Sequence, residues 1–246
     1  MLEILYSRNA VHEMLRAGRR RCQAIWVAEG AHESDTLAKI LALATQRGIP
    51  VKRVERRRLD DLGTENHQGV AAQVEAYPYA EPEAMLRLAQ QRSEKPLLLL
   101  LDCLQDPQNL GTLLRTADVV GVHGVIIPRH RAASITPAVS NASAGAVEHI
   151  LVAQVTNLVR AMEGFKAKGL WIVGLEHLPE AQDYRSADLN MPLCLVVGSE
   201  GHGLGRLVRE RCDLWIRLPM RGHVGSLNAS VAGSIALYEA WQQRQP

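Results

Sequence analysis

Residues 97–102 read LLLLLD, five leucines closed by an acid. A continuous apolar run of that length between polar positions marks a strand buried on both faces, as in a parallel sheet. Further strand patterns lie at 124–127, 151–155, 170–174, 193–197 and 214–218. Helical patterns separate them at 107–120, 137–146, 156–168, 204–211 and 227–243. Strands alternating with helices predict an α/β fold, a parallel sheet covered on both sides. Ligands of such sheets sit outside the carboxyl ends of the strands. The loops after Leu101, Val197 and Leu218 are therefore where chemistry is expected.

The first third has its own pattern. Residues 8–17 predict a short helix ended by Gly18, and 22–28 a strand. Ser34 is a candidate cap for a helix running to Arg47, with Gly48 just beyond it. A strand at 49–54, a helical turn at 57–62 and a strand at 69–74 complete a compact α/β domain. Residues 76–95 shift in composition, with two prolines and few β-branched residues, and predict a linker containing one helix. The expected organisation is a domain over 1–75, a linker over 76–95 and a second domain over 96–246.

Composition narrows the class. Hydrophobic residues make up 47% of the 246 and charged residues 22%, which excludes a disordered or collagen-like chain. No apolar run approaches the roughly 18 residues of a membrane span, and the N-terminus does not read as a signal peptide. The cytoplasm is the expected location. Cys22, Cys103, Cys194 and Cys212 form no CxxC pair, and the histidines show no HxxxH spacing. Neither a disulfide framework nor a metal site is expected.

Net charge is +2, and the surplus lies within residues 1–75, which carry 12 basic and 10 acidic side chains. It is concentrated in Arg19-Arg20-Arg21 and Arg56-Arg57-Arg58. Arginine is a good phosphate fork, but each cluster reads equally well as a solvated face.

Three loop-to-helix motifs carry candidate chemistry. In the first, DCLQDPQNLGTLLRTAD (102–118), Asp106-Pro107 is a strong helix start. The core stripe is Leu110, Leu113, Leu114, Ala117 and Val120. Asn109 and Arg115 lie off that stripe; the bland alternative pairs Arg115 with Asp118 on the surface. The second, LCLVVGSEGHGLGRL (193–207), runs from a strand into four glycines, with Glu200 inside the turn. Its spacing is not GxGxxG, and no lysine follows Lys168, which excludes a Walker A loop. The third, RLPMRGHVGSLNASVAGSIALYEAW (217–241), offers Ser226 as a cap for a final helix rich in small residues. Small residues permit close backbone approach, to a neighbouring helix or across a subunit interface. Asn228 has no such capping role in this reading.

Taken in order, these motifs resemble the SpoU (TrmH-like) branch of the SPOUT RNA methyltransferases. The matching positions are Asn109, Gly111, Arg115-Thr116-Ala117, then Gly198, Glu200-Gly201, Gly203, then Leu218-Pro219-Met220, Gly222, Ser226-Leu227-Asn228 and Ser230. Residues 1–75, including Asn66-His67-Gln68-Gly69-Val70, resemble the ribosomal-L30e-like substrate-binding domain found in that branch. Within the branch the similarity is greatest to bacterial enzymes that 2′-O-methylate a guanosine in the peptidyl-transferase region of 23S rRNA. Departures are small: Cys103 stands where relatives often have glycine, and His202 occupies a variable turn position.

The resemblance implies a deep trefoil knot in the C-terminal sheet, S-adenosylmethionine as cofactor, and a homodimer with the site near the subunit interface. It implies cofactor contacts from Gly198, Leu218, Met220, Leu227 and Gly203, and catalytic roles for Arg115, Glu200, Asn109, Ser226 and Asn228. Arg115 would anchor phosphate or stabilise the developing alkoxide rather than lose a proton, since a guanidinium stays protonated. Two other functions remain open: a tRNA ribose 2′-O-methyltransferase of the same branch, and a non-catalytic RNA-binding or ribosome-assembly protein.

Overall fold

The computed structural model describes residues 2–63, 66–201 and 203–245, so His202 lies outside the described residues. The chain forms two compact units, Met1–Pro78 with Ile135–His149, and Tyr79–Ser134 with Ile150–Pro246.

In the first unit the elements are β1 (Leu2–Tyr6), α1 (Arg8–Ala17), β2 (Cys22–Ala28), α2 (Asp35–Gln46), β3 (Val51–Val54), α3 (Arg56–Asp60) and β4 (Val70–Glu75). The sheet order is β1-β4-β2-β3, with β2 and β3 parallel and the other pairs antiparallel. β1 is not among the elements the pattern predicts; only Leu5 of its five residues is fully buried, so it shows little alternation. The expected caps form. Ser34 Oγ accepts from Leu37 N at 3.2 Å, and Gly18 closes α1 in the left-handed conformation with its N–H on Met14 O.

The two arginine clusters differ in kind. Arg19-Arg20-Arg21 is not a single surface patch. Arg20 is fully buried, with Nη1 donating to Glu3 Oε2 at 3.0 Å and Nη2 2.9 Å from Glu148 Oε1. Its guanidinium stacks over Tyr77 at 4.9 Å, and Arg19 donates to the Tyr77 hydroxyl at 3.2 Å. Burial raises the Glu148 carboxyl above its ordinary value, against the pull of Arg20 and Arg19. A buried charge is tolerated only when paired, so Arg20 serves the core and leaves Arg21 alone exposed. Arg56, Arg57 and Arg58 are all exposed, beside exposed Lys52 and Arg53 on the edge strand β3.

The remaining elements are α4 (Pro82–Arg92), β5 (Leu97–Leu101), α5 (Pro107–Val119), β6 (Gly124–Pro128), α6 (Pro137–Ala142), β7 (Val152–Val155), α7 (Leu158–Lys166), β8 (Trp171–Leu175), β9 (Gln182–Asp183), β10 (Leu193–Val197), α8 (Arg206–Arg209), β11 (Leu214–Arg217) and α9 (Ala229–Gln242). α6 and the 3-10 turn Ala146–Glu148 belong to the first unit. One helix over 137–146 is expected from sequence; instead Ala144 and Gly145 turn left-handed, at φ 51° and 86°, and break it. The helix expected over 204–211 shrinks to α8, because Gly205 stays extended at ψ 146°.

In the second unit the sheet runs β7-β6-β5-β10-β8-β11-β9, and every pair is parallel. β5 is central and all five of its leucines are buried, as the unbroken apolar run requires. Register aligns the carboxyl ends: Val197 pairs with both Leu101 and Leu175, and Ile216 with Leu175. Four loops therefore leave one edge of the sheet side by side. α9 packs through its small residues against α5 and β10. A Cβ on Gly233 would lie 2.8 Å from Leu113 Cδ2 and 3.1 Å from Val197 Cγ2, so the close approach favours glycine there. Gly233 thus serves a neighbouring helix and strand. No helix among the described residues is long and apolar enough to cross a membrane.

Candidate functional site

Each of the three motifs delivers one side chain to a common cluster. Asp106 caps α5, its carboxylate accepting from Gln108 N and Asn109 N at 3.1 and 3.3 Å. That start fixes Asn109 in the first turn, buried at 7% exposure. The turn after β10 carries Glu200 and is closed by reciprocal bonds between Ser199 and Gly203, both 3.1 Å. Gly198 must be glycine, since a Cβ would lie 2.3 Å from the Gly203 carbonyl carbon. Gly203 itself adopts φ 63°.

The third motif differs from its sequence reading. Asn228, not Ser226, caps α9: its Oδ1 accepts from Ser230 N at 2.9 Å and Val231 N at 3.2 Å. An Asx side chain reaches the second and third helical amides only from the residue just before the helix. Ser226 is two residues too early and sits exposed in the loop.

These residues form one network. Asn109 Nδ2 and Asn228 Nδ2 each donate to Glu200 Oε1 at 2.6 Å. Asn228 Nδ2 also donates to Asn109 Oδ1 at 3.0 Å, and Ser230 Oγ donates to the same oxygen at 3.0 Å. Ser230 is one of the matching motif positions, but no catalytic role was expected of it. Hydrogen bonds to an ionised carboxylate are roughly twice as strong as neutral ones. Glu200 thus ties three segments together while its Oε2 has no hydrogen-bond partner among the described residues.

Beside the cluster lies a cavity of about 550 Å³. Gly198, Gly203, Leu218, Met220 and Leu227 all line it, and so do Glu200, Ser226 and Asn228. One side of its wall, Leu175, Glu176 and His177 at the end of β8 and just beyond it, was not expected. The strand was legible in sequence, but its place beside β10 was not. Glu176 accepts from Arg209 through both carboxylate oxygens. Arg115 stands apart: it is exposed on α5, lines neither this cavity nor the one behind Asn109, and has no hydrogen-bond or ion-pair partner among the described residues.

The cavity suits a cationic sulfonium nucleoside. Its volume falls within the roughly 300–1,000 Å³ of small-molecule sites. Leu175, Leu218 and Leu227 offer apolar walls, and Glu200 supplies negative charge.

Residues 96–238 match the SpoU rRNA methylase family, and residues 4–80 match the substrate-binding domain of RNA 2′-O ribose methyltransferases. A Bacillus subtilis protein, YacO, assigned by name to the TrmH family of tRNA/rRNA methyltransferases, is 47% identical over 99% of this chain and 97% of its own length. Among solved structures, the SpoU methyltransferase AviRb of Streptomyces viridochromogenes, in complex with S-adenosylmethionine, superposes with a TM-score of 0.80 at 25% identity, covering 99% of this chain and 90% of its own. An S-adenosylmethionine-bound rRNA methyltransferase of Sinorhizobium meliloti gives 0.80 and 25%, covering 100% and 88%.

Proposed function

This chain belongs to the SpoU (TrmH-like) family of S-adenosylmethionine-dependent RNA methyltransferases, and we propose that it methylates the ribose 2′-oxygen of a guanosine in the peptidyl-transferase region of 23S rRNA. The observation that carries the reaction is the Asn109–Glu200–Asn228–Ser230 network on the border of the cofactor cavity. The rRNA substrate is supported by the substrate-binding match at 4–80 and by whole-chain similarity to an rRNA methyltransferase. The guanosine rests on the motif resemblance.

The cofactor, when bound, supplies an electrophilic methyl group on a sulfonium. What is left for the protein is to align a weakly acidic hydroxyl and remove its proton. Glu200 is suited to the second task. Two amides hold Oε1, so Oε2 can face the 2′-hydroxyl and accept its proton. Asn109 and Asn228 keep that carboxylate from rotating, and Ser230 keeps Asn109 from rotating. Gly198, Gly203, Leu218, Met220 and Leu227 bind the cofactor as walls of the cavity, and Ser226 holds the loop over it. A knotted crossing of the 198–203 and 218–228 loops belongs to this reading, and their sharing one cavity supports it.

Arg115 acts across a subunit interface. It lies on α5 four residues before Val119, which is 61% exposed. The adjoining α9 exposes Val231, Ile235, Tyr238 and Trp241 in one stripe, and Thr116 and Ser234 bond the two helices at 2.8 Å. A second copy covering this stripe makes the homodimer and carries Arg115 to the partner's site. There its guanidinium anchors the substrate phosphate and stabilises the developing alkoxide.

Residues 1–75 select the RNA, and 96–246 transfer the methyl group. Lys52, Arg53, Arg56, Arg57 and Arg58 form the phosphate-binding face, with Arg58 stacked 4.8 Å over Trp26. The test is incubation with methyl-labelled S-adenosylmethionine and unmodified 23S rRNA or tRNA, followed by digestion to nucleosides. Label in 2′-O-methylguanosine from rRNA is expected. Label from tRNA alone would overturn the substrate and keep the reaction.

A further inference from the structure

A second cavity, of about 540 Å³, lies behind the catalytic network. It shares Ser199, Glu200 and Gly203 with the cofactor cavity, and Asn109 lines it from the other side. A nucleotide whose 2′-oxygen meets Glu200 at this border must put its base somewhere. RNA bases are read when they are splayed out of the stack into such pockets.

The outer wall comes from two short loops that are tied to each other. Ala133 N donates to Leu104 O at 2.8 Å, and Gln105 Nε2 donates to Arg131 O at 3.5 Å. Each loop holds a left-handed residue that is not glycine, Cys103 at φ 57° and Arg131 at φ 60°. Such strain persists where surrounding structure imposes it, often at ligand sites. From below, Asp102 Oδ2 accepts from Gly205 N at 2.7 Å and locks the floor to the glycine turn. Arg131 is the cation of this wall, exposed, with no hydrogen-bond partner for its guanidinium among the described residues. Its charge is felt at the Cys103 thiol, where burial and Asp102 raise the pKa and Arg131 opposes them.

We infer that this cavity is the pocket for the acceptor base and that Arg131, seconded by Gln105, selects guanine. A guanidinium fork matches the paired O6 and N7 acceptors of guanine; adenine offers a donor in place of O6. The free carboxamide oxygen of Gln105 can accept from a base amino group. The inference rests on the ribose-methylation reading, since it takes its orientation from the 2′-oxygen at Glu200.

The test uses the full-length protein and a 23S rRNA fragment carrying guanosine, or adenosine, at the methylated position. Wild-type protein is expected to prefer guanosine by roughly tenfold or more. Arg131→Lys keeps a cation but loses the fork; it should bind RNA with unchanged salt dependence and lose the preference. Arg131→Ala should lose the preference as well. Gln105→Ala should weaken it partly. Alkylation of Cys103, mapped by peptide, should be slowed by the guanosine fragment and not by the adenosine one. If Arg131→Lys retains full preference, or if Arg131→Ala loses only phosphate-dependent affinity, Arg131 is an anchor and the inference fails while ribose methylation stands. If wild-type protein methylates a base atom instead of the ribose 2′-oxygen, the reaction reading fails and takes this one with it.

Discussion

Asn228 and Glu200 meet through a single 2.6 Å hydrogen bond from Nδ2 to Oε1, while the other side of the same carboxamide caps α9. One side chain thus starts a helix and restrains the carboxylate proposed to take the substrate proton. The two roles separate by substitution. Asn228→Asp keeps a capping oxygen but sets a second carboxylate against Glu200. The cap, worth about 1 kcal/mol, is kept, while methyl transfer falls on the order of 100-fold from misplacement of Glu200. Asn228→Ala should lose both, with about 1 kcal/mol in thermal unfolding. An Asn228→Asp variant of wild-type activity would remove Asn228 from the site.

Arg115 is exposed and without a partner among the described residues, so Arg115→Ala should leave stability within about 0.5 kcal/mol. Transfer should drop at least about 100-fold, with cofactor affinity, read by calorimetry, within a few-fold. Mixing Arg115→Ala with Glu200→Gln subunits should restore part of the activity if Arg115 serves the partner's site. No restoration would return Arg115 to its own subunit.

The two arginine clusters should respond differently to substitution. Arg20→Ala leaves Glu148 buried without its partner, at a cost of about 3–5 kcal/mol to folding. Replacing Arg56 and Arg57 by Gln should leave folding unchanged and weaken RNA binding. The slope of log affinity against log salt should fall by about 1 for each phosphate no longer neutralised. Filter binding at several salt concentrations reads this. Equal slopes for the variant and wild type would exclude α3 from the RNA surface.

Gly198 and Gly233 make close approaches of different kinds. Gly198→Ala drives a Cβ into backbone 2.3 Å away, which cannot yield, so S-adenosylmethionine binding should be lost. Gly233→Ala meets the ends of Leu113 and Val197, which can shift at about 1–3 kcal/mol. Cofactor binding should survive in that variant. Retained cofactor affinity in Gly198→Ala would contradict the assignment of the cavity.

His123 links pH to stability. Leu97 N donates to its Nδ1 at 3.1 Å, and its Nε2 donates to Glu94 at 2.9 Å, an arrangement that needs the neutral ring. Burial lowers its pKa despite Glu94. On acidification the unfolded chain takes up the proton first, near pH ~6.5. The contribution is therefore complete above that value and is lost as pH falls through the lower folded one. Urea unfolding at pH 7.5 and 5.5 should show a smaller acid loss in His123→Gln than in wild type. An equal loss would show that another group dominates this window.

Much of this was legible in the linear pattern, because its physical basis is local. The five leucines of β5 are buried on both faces, and an unbroken apolar run is the only local pattern that meets that demand. Asp106-Pro107, Ser34 and Gly18 act within one helical turn of themselves, so their roles were readable before any tertiary contact. The ordered motifs also named every side chain of the network, although they did not show that Ser230 would bond Asn109. Tertiary structure decided what depends on neighbours distant in sequence. Glu176 joins the cavity because β8 lies next to β10, a strand order that periodicity does not encode. Arg20 is buried and Arg56 exposed, although both lie in runs of three arginines, because only Arg20 finds Glu3 and Glu148 around it. Asn228 displaced Ser226 as the cap because packing of Gly233 against Leu113 and Val197 sets where α9 lies, and the bonds to Asn109 and Glu200 hold its first turn. Side-chain chemistry is written locally, but burial and pairing are settled only when the strands take their order.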